Sequence, residues 1–216
     1  MDKYQVAIVI PAFNEEATIS NVVKSVKKYG LVIVVDDGSS DRTKNMAEEI
    51  GAVVVSHSQN KGYDGALNSG FAKAAELGCS AIISFDADGQ HSPNAIERYI
   101  HELQSGVDLV LGIRPKPARI AERLFMCYSR YKFGWLDPLC GMKGYSMSLY
   151  REHGCFDTID SIGTQLATYG LVNNFSYTQI NILISGRNDH PRFFSMFKSN
   201  VIIIKALINL IIRRYT

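Results

Sequence analysis

The sequence predicts an α/β protein: a doubly wound, mostly parallel sheet flanked by helices, with an amphipathic helix at its C-terminal end. Three observations carry that reading. Over the first 112 residues, short β-branched runs at 6–10, 31–35, 52–55, 81–85 and 108–111 alternate with segments of helical period at about 15–29, 41–50, 63–77 and 93–105. The runs are apolar on both faces, as parallel strands covered by helices on both sides must be, and the alternation implies βαβ units. Each run also ends on polar or charged residues, and an open α/β sheet binds ligands outside the carboxyl ends of its strands.

Taken in order, the first run stops at Pro11, and Asn14-Glu15-Glu16 reads as a cap and acidic first turn for a helix built on Ile19, Val22, Val23 and Val26. Gly30 reads as the stop of that helix. The second run leads into Asp36-Asp37-Gly38, with Ser40-Asp41 as the cap of the next helix and Gly51 at its end. The third is followed by His57, Asn60, Lys61 and Gly62, a helix-entry loop whose N–H groups favour an anion. Gly65 and Gly70 then permit close packing of helix on sheet. The fourth ends in Asp86-Ala87-Asp88-Gly89-Gln90-His91, with Ser92-Pro93 opening a helix that Gly106 closes. The fifth leads to Gly112 and Arg114. Beyond it, 113–136 is basic, aromatic and partly helix-like, 137–146 is Gly-rich, and 174–185 holds a late strand. The reading divides the chain into a domain at 1–192 and a separate tail at 193–216.

Composition narrows the function. With 216 residues, 46% hydrophobic and 20% charged, the chain can bury a substantial core, which excludes whole-chain disorder. A net charge of +2 argues against a nucleic-acid binder. None of the four cysteines forms a C-x-x-C pair, which argues against zinc ribbons and thioredoxin-like redox sites and for reduced thiols. With no leader legible before the first strand, the expectation is a protein in the cytoplasm, peripheral on the cytosolic face of a membrane.

The Asp86-x-Asp88 pair carries the most chemistry. Two carboxylates this close repel unless a cation lies between them. Hard oxygen ligands suit Mg²⁺ or Mn²⁺, which also take phosphate oxygens and water. An isolated pair of this kind is as readily a solvated turn; at the end of a buried run, among other polar strand ends, metal binding is the better reading. Asp36-Asp37 is either a tight turn or an acceptor for a ribose hydroxyl or a base N–H.

In order, these motifs resemble the family 2 glycosyltransferases with the GT-A fold. The matches are Val9-Ile10-Pro11-Ala12-Phe13-Asn14-Glu15-Glu16, Val34-Val35-Asp36-Asp37-Gly38-Ser39-Ser40-Asp41, Asn60-Lys61-Gly62 with Ala66-Leu67-Asn68-Ser69-Gly70, and Phe85-Asp86-Ala87-Asp88-Gly89-Gln90-His91. Within that family, Asp137-Pro138-Leu139-Cys140-Gly141-Met142-Lys143 is similar to a segment of the dolichyl- and polyprenyl-phosphate sugar synthases. The resemblance implies an antiparallel strand near 141–146 and an inverting transfer from a nucleotide-sugar donor. It places Pro11, Ala12, Phe13, Glu15, Asp36, Asp37, Lys61, Gly62, Asp86 and Ala87 at the nucleotide. Asp86 and Asp88 would hold the metal, with Gln90 beside them and Arg114 on phosphate charge. Asp88, Arg114, Asp137 and Lys143 form the implied catalytic set. Lys143 stands where those synthases commonly carry Arg, and Cys140 replaces a small hydroxyl residue.

A lipid-phosphate acceptor is already anionic and needs no strong base, whereas a sugar hydroxyl needs a carboxylate, for which Asp137 is the candidate. The alternatives are therefore transfer to a sugar hydroxyl in polysaccharide or glycolipid assembly, or a nucleotide-sugar-binding module without turnover. A nucleotidyltransferase would carry a Gly-rich basic loop at 11–16, and a receiver domain would carry its Asp pair after the first strand. In the tail, Lys205, Asn209 and Arg213 recur every four residues and place one polar stripe on an otherwise apolar helix. Such a helix either lies in the membrane interface or packs on its own domain or in a dimer.

Overall fold

The computed structural model describes residues 5–89, 91–115, 120–183 and 196–212. Gln90, Arg213 and Arg214 lie outside the described residues. The elements are β1 (Val6–Ala12), α1 (Ile19–Val26), β2 (Leu31–Asp36), α2 (Thr43–Glu49), β3 (Val53–Ser56), α3 (Gly62–Glu76), β4 (Ala81–Ser84), α4 (Ala95–Gln104), β5 (Leu109–Ile113), α5 (Ile120–Phe133), β6 (Lys143–Ser146), α6 (Met147–His153), α7 (Gln165–Val172), β7 (Tyr177–Asn181) and α8 (Met196–Ile212). The sheet runs β3-β2-β1-β4-β6-β5-β7, parallel except for β6, which is antiparallel to both neighbours.

Strand alternation divides the core into two layers. Ile8, Ile10, Val34 and Ile83 face one layer with Val22, Val23 and Tyr99. Val9, Ile33, Val35 and Ile82 face the other with Leu67, Phe71 and Leu149. Gly70 is required by this packing, because a Cβ there would stand 2.3 Å from Val9 Cγ1.

Several local expectations change, each for a tertiary reason. β1 does not stop at Pro11. Its ladder with β2 continues to Ala12↔Asp36, while the ladder with β4 ends at Val9↔Ser84, before the residue that lacks a donor. Asn14 does not cap α1, which starts at Ile19. It adopts a left-handed φ of 53° and accepts the Ser40 N–H on Oδ1 at 2.8 Å. Glu15 N–H and Glu16 N–H donate to Thr43 and Asp41 at 2.7 and 3.1 Å, so the first turn is spent clasping the β1 loop to the β2 loop. Asp41 also accepts the Thr43 N–H at 3.0 Å, but the N-cap of α2 is Arg42, which makes no side-chain cap bond, and not Ser40-Asp41. Gly30 owes its place to a close approach: a Cβ would lie 2.4 Å from the Val6 carbonyl oxygen. Helices α6 and α7 have no counterpart in the sequence reading. The signals for α6 are Ser146, whose hydroxyl accepts the Leu149 N–H, and Gly154 at φ 83°.

The tail joins the fold through α8. Ile203, Ala206 and Leu210 pack on Ala121 and Phe125 of α5. Asn209 donates to the Ile159 carbonyl at 2.7 Å, so that part of the supposed polar stripe faces protein and not solvent. Over 201–212 the exposed side of α8 is largely apolar, with Val201, Ile202, Ile208 and Ile212 beside the charged Lys205. No described helix is long and apolar enough to cross a membrane.

Candidate active site

The ends of β1, β2 and β4 and the start of α3 open on one cleft of about 460 Å³. Its wall contains Pro11, Ala12, Phe13, Glu15, Asp37, Gly62, Asp86, Ala87 and Asp88, so eight of the ten residues expected at the nucleotide meet there, with Asp88. Asn60, Tyr63 and Ala66 join them. Two expected residues do not. Asp36 is buried and accepts the Ser39 N–H on Oδ1 at 3.3 Å, which makes it a turn residue. Lys61 contributes its backbone N–H, not its side chain.

The anion at the start of α3 is supplied by the protein. Asp37 Oδ1 accepts the Lys61 N–H at 2.8 Å, and Oδ2 accepts the Gly62 N–H at 2.9 Å. Backbone N–H groups at a helix start bind negative charge, and here they bind a carboxylate from the neighbouring strand. His57 adds a third bond, Nδ1 to Oδ1, at 2.6 Å.

Asp86 is arranged differently. His91 Nε2 stands 2.8 Å from its Oδ2, and 30% of the Asp86 side chain remains exposed. Burial works to raise its carboxyl, but the His91 hydrogen bond and charge, with Lys143 and Arg114, outweigh it and hold it below the usual range. Burial would lower His91; the bond to Asp86 and the charges of Asp86 and Asp88 raise it instead. Gly141 makes room for this carboxylate, because a Cβ there would lie 2.3 Å from Asp86 Oδ2. Among the described residues no cluster of three metal-binding side chains exists. A magnesium-type site needs only one or two carboxylates when phosphate and water complete it, so Asp86 and Asp88 fit that ion.

The catalytic set of Arg114, Asp137 and Lys143 is rearranged. Arg114 Nε donates to Asp137 Oδ2 at 2.7 Å, its terminal nitrogen to Oδ1 at 2.8 Å and its backbone N–H to Oδ2 at 3.0 Å. Glu122 stands 3.6 Å from the same guanidinium. Burial opposes the Arg114 charge, but the bond and charge of Asp137 outweigh it and push the group up. Arg114 is thus neutralised internally, and Asp137, 1% exposed, is held by it; neither is placed as a free phosphate ligand or base. Lys143 is the cation left over. It is buried in β6, its Nζ lies 5.6 Å from the Trp135 ring centroid, and it forms no ion pair among the described residues. Burial lowers its ammonium against the pull of Cys140, Asp137 and Asp86. It lines a second cavity, of about 180 Å³, with Tyr63, Asp86, Leu139, Gly141 and Ile162. Sequence reasoning assigned no role to His57, His91, Tyr63 or Gly141, although the first two stood in motifs at strand ends.

Comparison with known proteins gives the family and the fold. A model of Glycosyl transferase family 2 matches residues 7–153. The chain is 36% identical over 129 residues to UDP-N-acetylglucosamine–dolichyl-phosphate N-acetylglucosaminyltransferase of Methanococcus voltae, covering 50% of this chain and 51% of that one. It is 27% identical over 205 residues to polyprenol monophosphomannose synthase of Mycolicibacterium smegmatis, covering 83% and 77%. The chain spans about half the length of the first curated relatives it matches. Among solved structures, glucosyl-3-phosphoglycerate synthase of Mycobacterium tuberculosis, in complex with Mn²⁺, UDP and glucosyl-3-phosphoglycerate, superposes with a TM-score of 0.73 at 21% identity, covering 96% of this chain and 79% of that one. The fold is the GT-A fold, and the chain belongs to glycosyl transferase family 2.

Proposed function

We propose that this chain is a metal-dependent, inverting transferase that moves a sugar from a nucleotide-diphosphate donor to the phosphate of a polyprenyl or dolichyl lipid. The observation that carries the reading is the position of Asp86, which lines both the nucleoside cleft and the smaller cavity of Lys143. A donor seated against Pro11, Phe13 and Asp37 would bring its diphosphate to Asp86 and Asp88. Mg²⁺ or Mn²⁺ held there would supply Lewis-acid neutralisation of the leaving diphosphate. Lys143 offers charge to an anion on the far side of Asp86. A phosphate acceptor carries its own negative charge and needs no general base, which agrees with Asp137 being occupied by Arg114. A single displacement by that oxygen inverts the anomeric carbon.

Three further facts support the donor, the acceptor and the membrane. The solved neighbour holds UDP and Mn²⁺. Two relatives carry the names of transferases to dolichyl and polyprenyl phosphates. Ile120 and Leu124 of α5, with the exposed residues of α8, give the protein apolar surface suited to peripheral attachment at the cytosolic face of a membrane.

The test is a thermal-shift screen of UDP and GDP with Mn²⁺, followed by transfer to a short-chain polyprenyl phosphate. One nucleotide should raise Tm only with metal, and labelled sugar should enter the lipid fraction. No stabilisation by either nucleotide would sink the donor site; donor turnover without lipid product would sink the acceptor.

A further inference from the structure

We propose that His57 is a positioning residue that holds the Asp37 carboxylate in the orientation the nucleoside meets, with Ser69 holding the ring; this rests on the donor site proposed above. An ionised carboxylate only accepts, so the 2.6 Å contact places a proton on His57 Nδ1. The other nitrogen, Nε2, stands 2.8 Å from Ser69 Oγ on α3, and in the neutral ring it accepts the hydroxyl proton. The His57 backbone is fixed as well, its N–H donating to the Asp36 carbonyl at 2.9 Å.

Two backbone bonds hold the Asp37 carboxylate, Lys61 N–H on one oxygen and Gly62 N–H on the other. His57 adds a third donor from the side of the neighbouring strand and fixes the plane of the group. It loads Oδ1 with a second donor and leaves Oδ2 with one, and each carboxylate oxygen accepts about two. Because Asp37 lines the cleft, the capacity left on its carboxylate is what a base N–H or a ribose hydroxyl would use. The atoms are those of a Ser–His–Asp triad, but Ser69 lies inside α3, and neither it nor His57 lines the cleft or the Lys143 cavity. The chain of bonds therefore ends at the nucleoside and not at a serine nucleophile.

The test compares His57→Phe, His57→Asn and Ser69→Ala for UDP and GDP binding with Mn²⁺ by calorimetry, and for donor KM and kcat. His57→Phe should weaken whichever nucleotide the wild type binds by about 10-fold, the scale of one hydrogen bond to a charged group, and raise donor KM equally with kcat little changed. Asn can present an N–H near the Nδ1 position, so His57→Asn should recover most of the affinity. Ser69→Ala should show a smaller loss of the same sign and keeps the test open if His57→Phe does not fold. Equal binding by wild type and His57→Phe overturns the proposal. So does failure of His57→Asn to recover affinity while its Tm matches wild type, and so does an unchanged Ser69→Ala where His57→Phe is unfolded. A wild type that binds neither nucleotide overturns the donor site itself.

Discussion

Two parallel strands of this sheet end in an aspartate paired with a histidine, and the two pairs do opposite work. At the end of β2, Asp37 is 2.6 Å from His57; at the end of β4, Asp86 is 2.8 Å from His91. Both imidazoles are buried. The carboxylates differ: the Asp37 side chain is 5% exposed and carries two backbone N–H bonds, whereas Asp86 is 30% exposed and receives none among the described residues. The first pair fixes a carboxylate as part of the wall. The second presents a more exposed carboxylate with more of its acceptor capacity unused, which is what a metal ligand needs. Residue type and strand position alone do not separate the two roles; the count of donors on each oxygen does.

The largest effect should come from the presenting side. Asp88→Ala and Asp86→Ala should each lower transfer by about 10²–10³-fold, as loss of a charge-stabilising group does, with the fold retained. Turnover of either variant at the wild-type rate with Mn²⁺ would erase the distinction between the two pairs. On the fixing side, Asp37→Ala leaves two N–H groups and His57 without their partner, so urea unfolding should show a loss of about 2–4 kcal/mol. A loss under about 1 kcal/mol would mean that Asp37 is not structural.

Gly141→Ala sharpens the contrast because it perturbs one pair only. Its Cβ would lie 2.3 Å from Asp86 Oδ2, which must move, so donor turnover and Mn²⁺ affinity should fall by about 10-fold while the Asp37 pair is untouched. Unchanged kinetics would show that Asp86 has room to spare.

The smallest effect concerns a third carboxylate, neither fixed at both oxygens nor presented. Asp64 Oδ2 accepts the Ile162 N–H at 3.1 Å, but Oδ1 is buried without a partner among the described residues. Burial, then the charge of Asp157, pushes it up to about 7. The folded chain therefore keeps a proton that the unfolded chain, with an ordinary carboxyl near 4, has lost. Stability from this group falls as pH rises from about 4 to 7 and stays low above it. Asp64→Asn should match wild type near pH 4 and exceed it by about 1–3 kcal/mol at pH 8 in urea titrations. A stability difference that does not grow with pH would refute the assignment.

The sequence by itself determined most of the residues that meet in the cleft. Strand runs, strand ends and the acidic pairs are local features, and the rule that ligands meet at carboxyl strand ends converts them into a site. Asp37, Asp86 and Asp88 were legible for that reason, and so was Gly70 against the sheet. Only the tertiary structure decided what each group has left to offer. Arg114 and Asp137 stand 23 residues apart, and nothing local shows that they neutralise each other while Lys143 has no ion pair among the described residues. Asn14 and Gly30 looked like helix signals but serve contacts with Ser40 and Val6. Asn209 looked like solvent face until Ile159 took its amide. In each case the residue's chemistry is written in the chain, while its free capacity depends on which distant donor, acceptor or apolar surface folding brings beside it.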